Sequence, residues 1–175
     1  WTGMEGKLFE DEFAKYCRCD KAVAVANGTV ALELALLSSE LCPGAEIITT
    51  PRSYFATTSA IVLHGFRPVF ADVDIESQNI TAETIAEVIT SRTRAIVVVH
   101  LAGWPADMPN IVALARRHNL LIIEDCAQAH GARIDDQIVG SFCDVGVQVV
   151  HQHAKRRFGE PALAGAHRPT RRPDE

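Results

Sequence analysis

Positive charge is in short supply in this sequence. Its 17 Lys and Arg stand against 22 Asp and Glu, for a formal net charge of −5. That balance does not supply the basic face on which nucleic-acid binding rests, so no nucleic-acid partner is expected. No apolar run reaches the roughly 20 residues that a membrane span requires, so no membrane partner is expected either. The opening stretch WTGMEGKLFEDEF has no basic segment followed by an apolar one, and it does not read as a secretory leader. No C-x-x-C pair occurs among the five cysteines, Cys17, Cys19, Cys42, Cys126 and Cys143. An odd count with that spacing argues against a disulfide framework or a zinc site, so no metal ligands are assigned. A reduced, cytoplasmic setting fits best. Neither G-x-G-x-x-G nor a Walker loop is present, so the two common nucleotide-binding turns lack their motif.

What remains is an apolar fraction of 47% over 175 residues, enough to bury a sizeable core. That length corresponds to one domain, or to one domain and a fragment. Strand-like and helix-like runs alternate along the chain. KAVAVAN (21–27), EIITTP (46–51), RPVFADVD (67–74), RAIVVVHL (94–101), LLIIEDCA (120–127) and GVQVV (146–150) read as strands. GTVALELALLSSE (28–40), YFATTSAIVLHG (54–65), TAETIAEVI (81–89) and DMPNIVALARRHN (107–119) read as helices. The helix at 81–89 has a Thr cap but no Glu or Gln to complete a capping box. The helix at 107–119 has an Asp cap, an early Pro and a basic end. Continuous apolar strands separated by helices predict a parallel sheet covered on both faces, an α/β three-layer sandwich. In such sheets ligands bind at the carboxyl ends of the strands, where NGT, PRSYF, HLAGW and EDCAQAH all fall. No internal repeat is found.

Three of those segments can carry chemistry. Asn27-Gly28-Thr29 joins a predicted strand to a helix. There the helix dipole and close backbone N–H groups suit an anion. An ordinary strand–helix turn reads the same way, at about even odds. Tyr54 and Phe55 follow a strand end, where a ring can lie flat on a planar ligand; packing of both rings in a core or lid is the commoner arrangement. Asp125 ends an apolar strand, which is costly for a carboxylate unless it is paired. It suits the cationic ring nitrogen that pyridoxal phosphate needs to act as an electron sink, or, more blandly, a cap or a surface ion pair. Strand alternation sends the neighbouring Glu124 the other way, so Asp125 is the favoured member of the pair.

Together, AVAVANGTVALELAL, ITTPRSYFATTSAIVLHGFRPVFADVD, SQNITAETIAEVITSRTRAIVVVHLAGWPADM and IIEDCAQAHGA…VGSFCDVGV resemble the DegT/StrS family of sugar aminotransferases over about residues 2–147. The resemblance implies the large domain of an aspartate aminotransferase-like fold, that of the fold-type I pyridoxal phosphate transferases. It also implies pyridoxal 5'-phosphate as cofactor, a nucleotide-linked keto-sugar as substrate, an amino-acid donor (usually glutamate) and a homodimer in the full-length family. By resemblance, Gly28 and Thr29 present N–H groups to the cofactor phosphate and Phe55 stacks on its ring. Asp125 pairs with the ring nitrogen, and Gln128 lies near the phenolic oxygen.

The sequence departs from the family after about residue 148. The serine of the family's FSF motif has no counterpart, and GEPA replaces its Gly-Glu-Gly-Gly turn. Without gaps, the position of the lysine that the family couples to the cofactor falls on Ala154. Lys155, one residue late, is the candidate, and a one-residue slip turns a side chain by about 100° on a helix. Residues 151–175 hold six Lys and Arg against three acids, leaving −8 on the preceding 150. The expectation is a partial cofactor-binding domain over 1–150 and a poorly ordered tail over 151–175, as a truncated or frameshifted reading frame would give, with weak or no activity. Two alternatives stand beside an aminotransferase. One is a sugar dehydratase relative in which His151 or His153 replaces the lysine. The other is a non-catalytic chain that serves only in binding or assembly.

Overall fold

A computed structural model describes residues 3–150 of the protein. The tail from 151, with Lys155, His151, His153 and the proposed boundary at 150, lies outside the described residues. The elements follow as α1 (Met4–Cys17), α2 (Gly28–Leu37), β1 (Glu46–Thr49), α3 (Phe55–Leu63), β2 (Arg67–Phe70), α4 (Ala82–Val88), β3 (Thr93–Val99), a 3-10 turn (Leu101–Gly103), α5 (Met108–His118), β4 (Leu121–Asp125), β5 (Arg133–Ile134), β6 (Gln137–Ile138) and β7 (Val145–Val147). Five strands form one parallel sheet in the order β2-β1-β3-β4-β7, and β5 and β6 form a separate antiparallel hairpin.

The sheet is apolar on both faces, and the two-residue period of a strand divides its side chains between two cores. Ile47, Ala95, Val97, Ile123 and Val147 pack with Leu32 and Leu36 of α2 and Ala60 and Ile61 of α3. Ile48, Ile96, Val98 and Ile122 pack on the other face with Ile85 of α4 and Ile111 and Leu114 of α5. Each adjacent pair, Ile47 and Ile48 or Ile122 and Ile123, is split between the layers. This is the expected sandwich.

The local signals account for most boundaries. Asn27 caps α2 by accepting from Val30 N–H at 3.0 Å. Gly65 takes a left-handed φ of 77° just past α3, and Asn119 does the same at 52° past α5. Pro68 sits on β2, an edge strand, where its missing N–H costs no ladder bond.

Several expectations are corrected. KAVAVAN is not a strand: Val23 is 76% exposed, and Ala24 N–H bonds Glu10 Oε1 of α1 at 2.8 Å rather than a neighbouring strand. Alternating alanines bury too little surface to hold an edge in the sheet. The predicted 67–74 strand stops at Phe70, and the 28–40 helix stops at Leu37. A capping box is present at α4 after all. Thr84 takes the role of Glu, its Oγ1 accepting from Thr81 N–H at 3.0 Å while its N–H bonds Thr81 Oγ1 at 3.3 Å. Asp107 makes no side-chain bond to the N–H groups of α5; its Oδ2 accepts from Asn110 Nδ2 at 2.7 Å instead.

Candidate functional site

All five strands of the sheet point the same way, so the starts of α2 and α3 and the ends of β4 and β7 lie at one edge. Contacts tie these segments together there. Asp125 pairs in register with Val147 of β7, and a Cβ added to Gly28 would lie 2.7 Å from Val149 Cγ2. Thr57, in the first turn of α3, donates its hydroxyl to Asp125 Oδ2 at 2.9 Å. Ala102 N–H, in the turn after β3, donates to Gln128 Oε1 at 2.9 Å. Gly28, Thr29, Phe55, Asp125 and Gln128 therefore lie at this edge of the sheet.

Their environments differ. Phe55 is 78% exposed and Tyr54 74%, so neither ring is core packing. Gly28 and Thr29 are the first two residues of α2. The cap from Asn27 goes to Val30, so the N–H groups of Gly28 and Thr29 have no partner within the helix. Gln128 is exposed, and its bound Oε1 leaves the amide NH₂ to donate elsewhere.

Asp125 is buried. Its Oδ1 accepts from Ala127 N–H at 3.2 Å, a local turn, and its Oδ2 accepts from Thr57. Burial pushes its carboxyl above the ordinary carboxylate value, and the bonds from Thr57 and Ala127 only partly pull it back. Among the described residues no Lys, Arg or His forms an ion pair with it. Among the described residues no helix begins after Asp125, so the helix cap foreseen as its bland alternative is not formed; Oδ1 closes a local turn instead, and the surface ion pair is absent among the same residues.

Glu124 faces the other way and is saturated. It accepts from His100 Nε2 at 3.0 Å, Gly140 N–H at 2.7 Å and Phe142 N–H at 2.9 Å. Burial pushes its carboxyl up, but the bonds from His100, Cys143 and Gly140 outweigh burial and hold it below the ordinary value. His100 Nδ1 accepts from Ala106 N–H at 3.0 Å, so the ring proton sits on Nε2 and is donated to Glu124. His100, Glu124 and Cys126 bring possible metal ligands within 4.8 Å of one another. Both ring nitrogens are already engaged, however, so His100 has no lone pair left for an ion.

The residues present fit pyridoxal phosphate. A buried carboxylate with, among the described residues, two neutral donors and no paired cation suits a cationic ring nitrogen, and N–H groups with no partner within their helix suit a phosphate. Two surface concavities lie elsewhere. One of about 340 Å³ is lined by Glu40, Leu41, Cys42, Ala45, Arg92 and Arg94, and one of about 420 Å³ lies beside the β5–β6 hairpin and includes Arg18 and Asp135. Neither is lined by Asp125.

The sequence reading missed Ser53, Thr57 and His100 as site groups. Thr57 had a signal: it shares a buried helix face with Ala60 and Ile61, where an isolated hydroxyl requires a partner. His100 ends an apolar strand as Asp125 does, and the same reasoning applies to it.

The family model described as the DegT/DnrJ/EryC1/StrS aminotransferase family matches residues 1–153. The chain is 48% identical over 144 residues to a UDP-N-acetyl-3-dehydro-alpha-D-glucosamine 3-aminotransferase of Acidithiobacillus ferrooxidans, covering 82% of this chain and 39% of that protein. The aminotransferase from Psychrobacter cryohalolentis superimposes with a TM-score of 0.82 at 51% identity, over 85% of this chain and 38% of that one. NtdA from Bacillus subtilis, solved with bound cofactor PMP, superimposes with a TM-score of 0.77 at 32% identity, over 83% of this chain and 32% of that one. The chain spans about two fifths of the length of the curated relatives it matches.

Proposed function

Because the chain belongs to the DegT/DnrJ/EryC1/StrS aminotransferase family, we propose that it forms part of a pyridoxal phosphate site for moving an amino group to a nucleotide-linked keto-sugar. The observation that carries this is Asp125, a buried carboxylate at the ligand edge of the sheet with no cation paired to it among the described residues. When bound, pyridoxal phosphate supplies an electron sink for chemistry at the amine carbon. Asp125 holds the ring nitrogen in its protonated form, the state in which the ring accepts electrons. Gly28 and Thr29 offer N–H groups to the phosphate at the positive end of α2. Phe55 gives the ring an apolar face. Gln128, with its oxygen fixed by Ala102, donates an amide N–H to the phenolic oxygen.

Glutamate is the amino donor on this reading, the working unit is a homodimer, and the setting is cytoplasmic. Among the described residues no helix is long and apolar enough to cross a membrane. Lys155 is the candidate for the lysine that bonds the cofactor. Titration of the purified chain with pyridoxal phosphate tests the reading. A saturable, protein-bound visible absorbance band that changes on Lys155→Ala supports it, and no saturable binding overturns it.

A further inference from the structure

Thr57 is 1% exposed, and its single hydroxyl proton is committed. It goes to Asp125 Oδ2 at 2.9 Å, because an ionised carboxylate can only accept. Thr57 Oγ1 also lies 2.8 Å from Ser53 Oγ. With the Thr57 proton already used, that second bond runs from Ser53 to Thr57. Both distances are normal for O–H···O bonds. The two hydroxyls thus point in one direction, Ser53 to Thr57 to Asp125, and bonds aligned in this way polarise one another. Among the described residues the groups around the carboxyl are few. Ala127 N–H binds the other oxygen, His100 lies at the end of β3 with its ring nitrogens on Glu124 and Ala106, and the Cys126 thiol is adjacent in sequence. Glu124 engages donors on the opposite face. Neither Lys nor Arg pairs with Asp125 among the described residues.

We propose that Ser53 and Thr57 are positioning residues that keep the Asp125 carboxyl ionised and fixed in direction, ready for a cationic ring. The proposal deepens the cofactor reading and rests on Asp125 as the ring partner. Without the relay, burial favours the protonated carboxyl, which cannot form an ion pair. Thr57→Val keeps the shape of the side chain and removes the hydroxyl. Thr57→Ser keeps the hydroxyl, and Ser53→Ala removes only the first donor.

The test is a carbon-13 NMR titration of the Asp125 carboxyl in the cofactor-free chain, with Asp125→Asn assigning the resonance. Thr57→Val is expected to titrate at higher pH than wild type, Thr57→Ser near wild type, and Ser53→Ala between the two. Pyridoxal phosphate affinity is expected to fall roughly tenfold in Thr57→Val and to recover in Thr57→Ser. A Thr57→Val titration that overlays wild type overturns the relay, as does a Thr57→Ser titration displaced as far as that of valine. If Thr57→Val fails to fold, Ser53→Ala decides by the same titration. Absence of cofactor binding in wild type overturns the cofactor reading alone, since the carboxyl titration needs no cofactor.

Discussion

Asp125→Asn separates what the carboxylate does for the fold from what it does for a ligand. In the fold, Oδ1 must accept from Ala127 N–H, so the amide oxygen of asparagine takes that place. The NH₂ group then faces Thr57 Oγ1, 2.9 Å away, where a donor now meets a hydroxyl that had been donating. Thr57 can turn its proton to Ser53 Oγ at 2.8 Å and accept instead. The relay reverses without moving a heavy atom, and Ala127, Thr57 and Ser53 keep their bonds. What disappears is a desolvated negative charge. Because burial raises the Asp125 carboxyl above its unfolded value, its contribution to stability is present at low pH and lost as the pH rises through the folded value. At pH 8 the wild-type chain carries that cost and the asparagine variant does not. The cofactor-free variant is therefore expected to unfold in urea at pH 8 at a midpoint no lower than wild type.

Cofactor binding moves the other way. A hydrogen bond to a charged group contributes about 1.5–3 kcal/mol, so loss of the charge is expected to weaken pyridoxal phosphate binding about tenfold to a hundredfold. Absorbance titration with the cofactor and urea unfolding without it measure the two effects on the same preparations. Equal cofactor affinity in both proteins would refute Asp125 as the ring partner. A loss of stability greater than about 1 kcal/mol would show that the carboxylate is structural.

Other perturbations bear on the groups around it. Glu124→Gln places an NH₂ donor against the converging donors His100, Gly140 and Phe142 and is expected to cost about 1–3 kcal/mol in urea unfolding; an unchanged midpoint would contradict the assigned network. With its carboxyl held low, wild-type Glu124 stabilises the fold above the unfolded carboxylate value, and that contribution is lost as the pH falls through the folded value. Gly146→Ala puts a Cβ 2.3 Å from Gly140 O and 2.8 Å from its Cα, both backbone atoms, and is expected to destabilise by about 3 kcal/mol. Wild-type stability in that variant would mean that the 140 loop yields freely. In a thiol titration of the native chain, exposed Cys19 and Cys42 are expected to react quickly. Cys17, pushed up to about 12 by burial, and Cys126 and Cys143, also pushed well up by burial, are expected to react only on unfolding.

The sheet was legible because its strands carry no polar alternation. RAIVVVHL has apolar side chains at both parities, which only a sheet covered on two faces can bury. The site edge was legible for a related reason: strands that end in PRSYF- or EDCAQAH-like segments, and a helix that opens on NGT, place polar groups where regular structure stops. The failures also have physical causes. Helix α1 went unread although Phe9, Phe13 and Tyr16 recur at a helical spacing and their rings pack in sequence, 5.5 and 6.0 Å apart. The many charges between those rings hid the face. The β5–β6 hairpin turns on Asp135-Asp136, with Asp135 at φ 52°, where the usual turn signal is Asn-Gly or Asp-Gly. KAVAVAN has the alternation of a strand but lacks the side-chain volume to hold a place in the sheet. The Ser53–Thr57 relay depends on a contact 68 residues apart in the chain, which local spacing does not report.

The adjacency of Glu124 and Asp125 shows how to tell a structural acid from a functional one. Both are buried at the end of the same strand, so exposure does not separate them. Alternation sends them to opposite faces, and the number of donors on each face then decides. An ionised carboxylate has about four acceptor sites. On the α4–α5 side the loop at 139–143 and His100 bring three N–H donors to Glu124, and the protein itself stabilises that charge. On the α2–α3 side Asp125 meets one hydroxyl and one backbone N–H among the described residues. A lone charge so poorly compensated is expensive in the ligand-free fold. On the proposed reading, a cation bound at the carboxyl edge of the sheet would remove that deficit. The incomplete solvation of Asp125, more than its place in the motif, is the physical reason to assign it to a ligand.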